Sequence, residues 1–349
     1  MVSIRGIKEV LPGLVYCIAI AVVSFAMNGL YKPVSALMWA FLIGIIVSNT
    51  IGLRGVFKSG VGFSSGQLLR FGVAVLGFVT SALIWTRVGL GVVAAFIVIF
   101  VGIGLSLWLG AKLGIERRLA ALIGVGTAIC GASAIAALTP AINAKEEESG
   151  LAVSGITLFG LISMFLYPFL FLNTPVNGLL GGSLDAYAIW VGAGVHETAQ
   201  VIAAAGAVDA SVVQAAMLIK SIRIFMIGPV VFLLAWHCSR CEGGKGKASF
   251  VVPLFAVAFT VGSIVCAFLD LNAAQLLSAG IDWIAIKGYF SGTILPFTFA
   301  TAFAGIGSKV SISAILKLGA KPIILAATVA VTAGVLAFIT AVLLVPFIA

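Results

Sequence analysis

The residues best equipped for chemistry sit in one short run, Gly192-Ala193-Gly194-Val195-His196-Glu197-Thr198-Ala199-Gln200, inside an otherwise apolar stretch. On a helix His196 and Gln200 share a face, and Glu197 lies beside them within one turn of Gln200. A charge at the bilayer centre costs about 2.5–3.5 kcal/mol on insertion scales, so ionisable residues at that depth face a protein interior or a water-filled cavity. Imidazole titrates near neutral pH, and with a neighbouring carboxyl it forms a pair able to carry a proton. The competing role for His196 and Glu197 is a polar clamp between helices. The zinc-protease pattern H-E-x-x-H is one ligand short, because Gln200 stands where the second His belongs, so metalloprotease chemistry is not expected.

Lys220 and Arg223 follow in the next apolar segment, three apart and on neighbouring positions of one face. No acidic residue of that segment can neutralise them. They need Glu197, a cluster of carbonyls or an anionic ligand. The planar guanidinium suits an oxyanion and the ammonium adds a point charge, while the bland alternative is snorkelling to the interface. The acidic run Glu146-Glu147-Glu148 reads as a solvated helix start. Cys238 and Cys241 form a lone C-x-x-C beside His237; without a second pair, no structural zinc site is expected, and no cofactor or metal is implied elsewhere.

A third feature is built from small residues: Gly124-Val125-Gly126-Thr127-Ala128-Ile129-Cys130-Gly131-Ala132-Ser133-Ala134-Ile135, with Pro140 close behind. Glycine loosens a helix, proline removes a donor, and small side chains admit a second helix or a ligand. Interrupted apolar segments that recur in two halves of a chain point to a transporter's binding site. The window Thr127–Ser133 aligns with Thr301–Gly307, with Thr, Ala and Gly coinciding, so the mate of the break near 126–135 is expected near 301–309. Two half-helix N-termini meeting there would present free N–H groups and partial positive charge to an anion. Thr127, Cys130, Gly131, Ser133, Gln200, Lys220, Arg223, Gly305 and Ser308 are the candidate substrate-binding residues, and His196 and Glu197 the proton-coupling pair. Neither expected break holds a carboxylate, which argues against a sodium site.

Such residues need a membrane scaffold. Hydrophobic residues make up 62% of the 349 and charged residues 9%, against about 25% charged in soluble domains. Mean hydropathy is +1.25. Apolar runs of spanning length recur along the chain and predict an all-α polytopic membrane protein of about eleven transmembrane helices, near 11–30, 34–52, 64–84, 88–110, 118–141, 149–171, 184–206, 211–236, 249–268, 289–308 and 322–346. The stretch 270–290 reads as a loop with an interfacial helix. Residues 1–32 carry an extra first helix, retained rather than cleaved, followed by two inverted repeats at 33–172 and 183–349.

The net charge of +9 lies in short loops, a topology signal and not a nucleic-acid footprint. Arg54, Lys58, Arg70, Lys112, Arg117, Arg118, Arg240, Lys245, Lys247, Lys309, Lys317 and Lys321 follow even-numbered spans, whereas only Lys32, Arg87 and Lys145 follow odd ones. The N-terminus is therefore expected in the cytoplasm and the C-terminus outside.

Four stretches, IGVGTAICGASAIAALTPAINA (123–144), VHETAQVIAAAG (195–206), KSIRIFMIGP (220–229) and KLGAKPIILA (317–326), resemble a bacterial inner-membrane family named for sulfate export, the YeiH-like proteins. They fall in order over most of the chain. The resemblance implies the inverted-repeat fold of bile-acid symporters and sodium/proton antiporters, with crossing discontinuous helices, and sulfate or a related oxyanion as substrate. It carries over to 126–135, His196, Glu197, Gln200, Lys220 and Arg223, and leaves the coupling ion open between protons and sodium. The leading expectation is a secondary transporter of a small anion, in which a broken-helix bundle moves against a panel containing the second span. A sodium or potassium/proton antiporter is the alternative, and a channel or membrane sensor the alternative of another class. No G-x-x-x-x-G-K-[ST] motif supports ATP-driven transport, and no enzymatic activity is expected. The lipid bilayer is an obligatory partner, nucleic acid is not one, and a homo-oligomer stays open.

Overall fold

The computed structural model describes residues 4–32, 34–242, 253–316 and 318–348, with side chains described from residue 8 and not for 237–242. The Cys238/Cys241 pair and His237 thus lie outside the described side chains. No strand occurs among the described residues. In hydrocarbon every backbone N–H and C=O must be satisfied within the protein, which selects helices for chains of this composition.

The helices are α1 (Ile4–Leu30), α2 (Ala36–Thr50), α3 (Gly55–Val79, with a π-helical turn at Ser64–Leu68), α4 (Gly91–Leu113), α5 (Arg117–Ala128), α6 (Ala132–Ala141), α7 (Glu146–Asn173), α8 (Leu184–Gly194), α9 (Thr198–Gly206), α10 (Ala210–Phe225), α11 (Ile227–Glu242), α12 (Leu254–Leu271), α13 (Leu295–Lys309) and α14 (Ala320–Leu344). Among the described residues eight helical stretches are long and apolar enough to cross a membrane. The other three expected spans are the 15-residue α2 and two helices that are each split in two, α5–α6 and α8–α9. A short helix at Ala273–Ser278 lies in the expected interfacial stretch, whereas Trp283–Tyr289 continues through a π-helical turn at Phe290–Ile294 into α13 as one helical stretch, Trp283–Lys309.

The chain divides into two compact units: 1–83 with 254–313, and 84–253 with 314–349. Each therefore draws helices from both of the expected repeats.

In the first unit α1 packs on α3 and α2 on α13 through glycines. A Cβ on Gly44 would strike the Ala304 carbonyl, and one on Gly307 would strike the Phe41 carbonyl, so these backbones lie in direct contact. Asp270 joins α12 to the 283–289 helix, accepting from Lys287 at 2.7 Å and from the Trp283 indole at 2.8 Å.

The expected break at 301–309 is not found. α13 runs unbroken from Leu295 to Lys309, and Thr301 and Ser308 return their hydroxyls to the carbonyls of Phe297 and Ala304. Its small residues serve close helix packing. Composition alone does not separate that use from a break.

In the second unit an aromatic cluster locks α7, α8 and α14 together. Tyr167 stacks on Trp190 at 4.3 Å, Phe171 on Tyr187 at 4.4 Å, and the Trp190 indole donates to the Gly334 carbonyl at 3.1 Å. Glu146, Glu147 and Glu148 form the first turn of α7, where negative charge complements the helix dipole, and Glu148 accepts the Lys145 N–H at 2.7 Å.

Candidate functional site

Two helices of the second unit break at residues that cannot continue them. α5 ends at Ala128, and Gly131 restarts the chain with φ +73°, ψ −134°, a conformation that disfavours any residue with a Cβ. α8 ends at Gly194, Val195 and Glu197 are extended, and α9 starts at Thr198. The second broken helix is therefore at 195–197, on the segment carrying His196 and Glu197.

A helix end leaves its last carbonyls without intrahelical partners. Here both broken ends turn those carbonyls to α10, where Lys220 and Arg223 are fully buried. Arg223 donates through Nε to the Ala128 carbonyl at 2.9 Å and through one terminal nitrogen to Thr127 at 2.8 Å. Its other terminal nitrogen donates to Val195 at 2.7 Å and Gly192 at 3.2 Å. Lys220 Nζ donates to the carbonyls of Val195 (2.9 Å) and His196. The guanidinium fork thus ties the C-termini of α5 and α8 to each other, and the two cations complement the partial negative charge there.

The opposite ends, the N-termini of α6 and α9, meet at Glu197. Its carboxylate lies beside the Ala132 N–H, the first of α6. A Cβ on Gly131 would run into Cγ, Cδ and Oε1 of Glu197, so the side chain lies directly on the break. Gln200 Oε1 accepts the Glu197 N–H at 3.1 Å, and the same amide is pressed against Gly160 of α7.

Among the sequence-derived candidates, Thr127, Cys130, Gly131, Gln200, His196, Glu197, Lys220 and Arg223 come together around the two breaks. Cys130 is buried, the Ala134 N–H donates to the Gly131 carbonyl at 3.1 Å, and Ser133 is exposed on the first turn of α6. Gly305 and Ser308 lie on α13 in the first unit; Ser308 is bonded to Tyr16 at 3.1 Å. Buried Thr127 Oγ1 and both ring nitrogens of His196 find no partner among the described residues. No group of metal-ligating side chains occurs among the described residues. What residue types could not announce are the backbone participants: the carbonyls of Ala128, Gly192 and Val195 and the N–H of Ala132. The spacing Glu197-x-x-Gln200 did hold a clue, since an acceptor followed three residues later by Gln is a helix-start signature.

The ends form a balanced set with a remainder. Each helix terminus carries about half an elementary charge, so two N-termini and two C-termini cancel. The formal charges of Lys220 and Arg223 exceed that of Glu197 by one positive charge. Counted as fully ionised, the set carries one net positive charge.

The family model described as "Conserved hypothetical protein 698" matches residues 12–326. A UPF0324 membrane protein of Pseudomonas aeruginosa is 33% identical, over 92% of this chain and 90% of its own. One of Haemophilus influenzae is 31% identical over 90% and 91%. The UPF0324 inner membrane protein YeiH of Escherichia coli K12 is 32% identical over 84% and 81%. No solved structure matches the chain. With broken helices and polar run lying inside the matched region, the chain belongs to the UPF0324 family of membrane proteins.

Proposed function

We propose that this protein is a secondary transporter of a small anion, with sulfate or a related sulfur oxyanion as the first candidate, working by alternating access in a bacterial inner membrane. The observation that carries this reading is the meeting of two broken helices whose C-termini are closed by Lys220 and Arg223 and whose N-termini converge on one carboxylate. A pair of N-termini flanked by surplus positive charge is an environment for an anion. Protons are the proposed coupling ion, carried by His196 and Glu197. The choice of a sulfur oxyanion rests on the resemblance to sulfate exporters, and the inner membrane on the name of the Escherichia coli relative. The loop charges support a cytoplasmic N-terminus and an outer C-terminus.

One observation favours the second reading, a cation/proton antiporter: the true second break does hold a carboxylate, Glu197. Against it, the carbonyl cluster that could coordinate a metal cation already receives Lys220 and Arg223. An internal ammonium and guanidinium stand where such an ion would sit. Uptake by proteoliposomes decides between the two. Radiolabelled sulfate, sulfite and thiosulfate are offered with and without a pH gradient, and sodium and potassium flux is followed in parallel. Anion accumulation driven by the gradient is expected; cation–proton exchange without anion movement would sink the anion reading.

A further inference from the structure

We propose that the Glu197 carboxylate is a tethered occupant of the anion seat, and that a free anion binds by displacing it when Glu197 takes up a proton. The inference rests on the anion-transport reading and adds to it how proton and anion are linked.

Three observations carry it. The α6 N-terminus is not open: a carboxylate, the ligand class that a helix N-terminus selects, already lies beside its first N–H. That carboxylate is pressed against the backbone of Gly131, where only a glycine leaves room for it. The seat can also be reached, because Glu197, Thr198 and Ala132 are partly accessible and Ser133 is exposed. Beside it, His196 is wholly buried with both ring nitrogens unpartnered among the described residues. A buried imidazole in that condition calls for a polar partner from outside the chain.

The exchange balances. Glu197 accepts one proton on oxygen and becomes a neutral acid, giving up its negative charge beside the Ala132 N–H. An oxygen of the anion then accepts that N–H, aided by the first N–H groups of α9. One proton and one negative charge enter together, so the formal charge around the breaks stays constant for a monovalent anion. On release the proton leaves and the carboxylate returns. Lys220 on α10 and Cys130 on the other break interact electrostatically with Glu197, Arg223 acts on both Lys220 and Cys130, and His196 is the chain neighbour of Glu197. α7 meets this region at Gly160, against the uncharged Gln200. Lys220 and Arg223 are committed to carbonyls, which leaves Glu197 and His196 to be distinguished by experiment.

The test uses the full-length protein in detergent with sulfate as the probe, read by sulfate-dependent thermal stabilisation between pH 5 and pH 8. Wild type should bind more tightly as the pH falls. Glu197→Ala and Glu197→Gln should bind about tenfold or more tightly than wild type at pH 8 and lose the pH dependence, whereas His196→Gln should keep it. In weakly buffered solution the wild type should take up about one proton for each sulfate bound, a measurement that needs no variant to fold. Sulfate binding without proton uptake overturns the proposal. So does a pH dependence that survives in both Glu197 variants or disappears in His196→Gln. If wild type carries sulfate but shows any of these results, displacement fails while the transport reading stands. If neither wild type nor the Glu197 variants respond to sulfate, displacement fails, and absence of sulfate, sulfite and thiosulfate uptake in proteoliposomes then removes the transport reading as well.

Discussion

At the scale of single residues, Arg223 holds the site together. Four hydrogen bonds run from its guanidinium to carbonyls on two different helix ends. Removing it takes this donor from the carbonyls of Thr127, Ala128 and Gly192, while Val195 keeps Lys220, and breaking a buried polar arrangement by deleting one partner costs about 3–5 kcal/mol. Arg223→Ala should therefore lower the unfolding temperature sharply or abolish folded protein in detergent. Arg223→Lys should recover only part of the loss, because an ammonium cannot reproduce the planar fork. An Arg223→Ala protein as stable as wild type would show that the guanidinium is dispensable to the breaks. Gly160 makes a second residue-scale test. A methyl group there would invade the Gln200 amide, which in turn holds the Glu197 N–H. Gly160→Ala should cost about 1–3 kcal/mol of stability through overpacking, and Gly160→Ala with Gln200→Ala should restore part of it. Unfolding of the two purified variants checks this coupling. That Arg223, His196 and Glu197 must be placed inside the protein was legible in sequence, since ionisable groups deep in apolar segments are costly. Their partners were not, because backbone carbonyls carry no letter.

At the scale of elements, two similar-looking runs of small residues have opposite fates. In 126–135 the chain breaks at Gly131, and the released groups find Arg223 and Glu197. In 301–309 the helix continues, because its hydroxyls satisfy their own carbonyls and its glycines let α2 approach. A break survives in a membrane only where outside partners take up its backbone groups, and the window contains no information about those partners. Gly44→Val should consequently force α2 from α13 and destabilise the first unit by about 1–3 kcal/mol, seen as a lower unfolding temperature or poorer detergent stability. An unchanged protein would mean that these backbones are not in contact. The second break was partly readable: Gly192 and Gly194, then Val195-His196-Glu197 and a Gln three residues on, combine loosened backbone with a helix-start signal.

At the scale of the molecule, the basic residues of the loops are the basis for the proposed orientation. A reporter fused after Ala349 should be active as alkaline phosphatase and dark as a cytoplasmic fluorescent protein, with the reverse at the N-terminus. An outer N-terminus would overturn the assignment. By itself the sequence determined that the chain is an all-helical membrane protein, and which side chains are too costly to leave in hydrocarbon. These are properties of hydrophobic run length and of the cost of desolvating charge, both local in the chain. Only the tertiary structure decided that the partner of the break at Gly131 is the break at 195–197. It likewise decided that Lys220 and Arg223 spend their donors on carbonyls and that Glu197 lies on the N-terminus of α6. Those outcomes depend on which helix ends meet in space, and a helix end acquires its partner only when the helices pack.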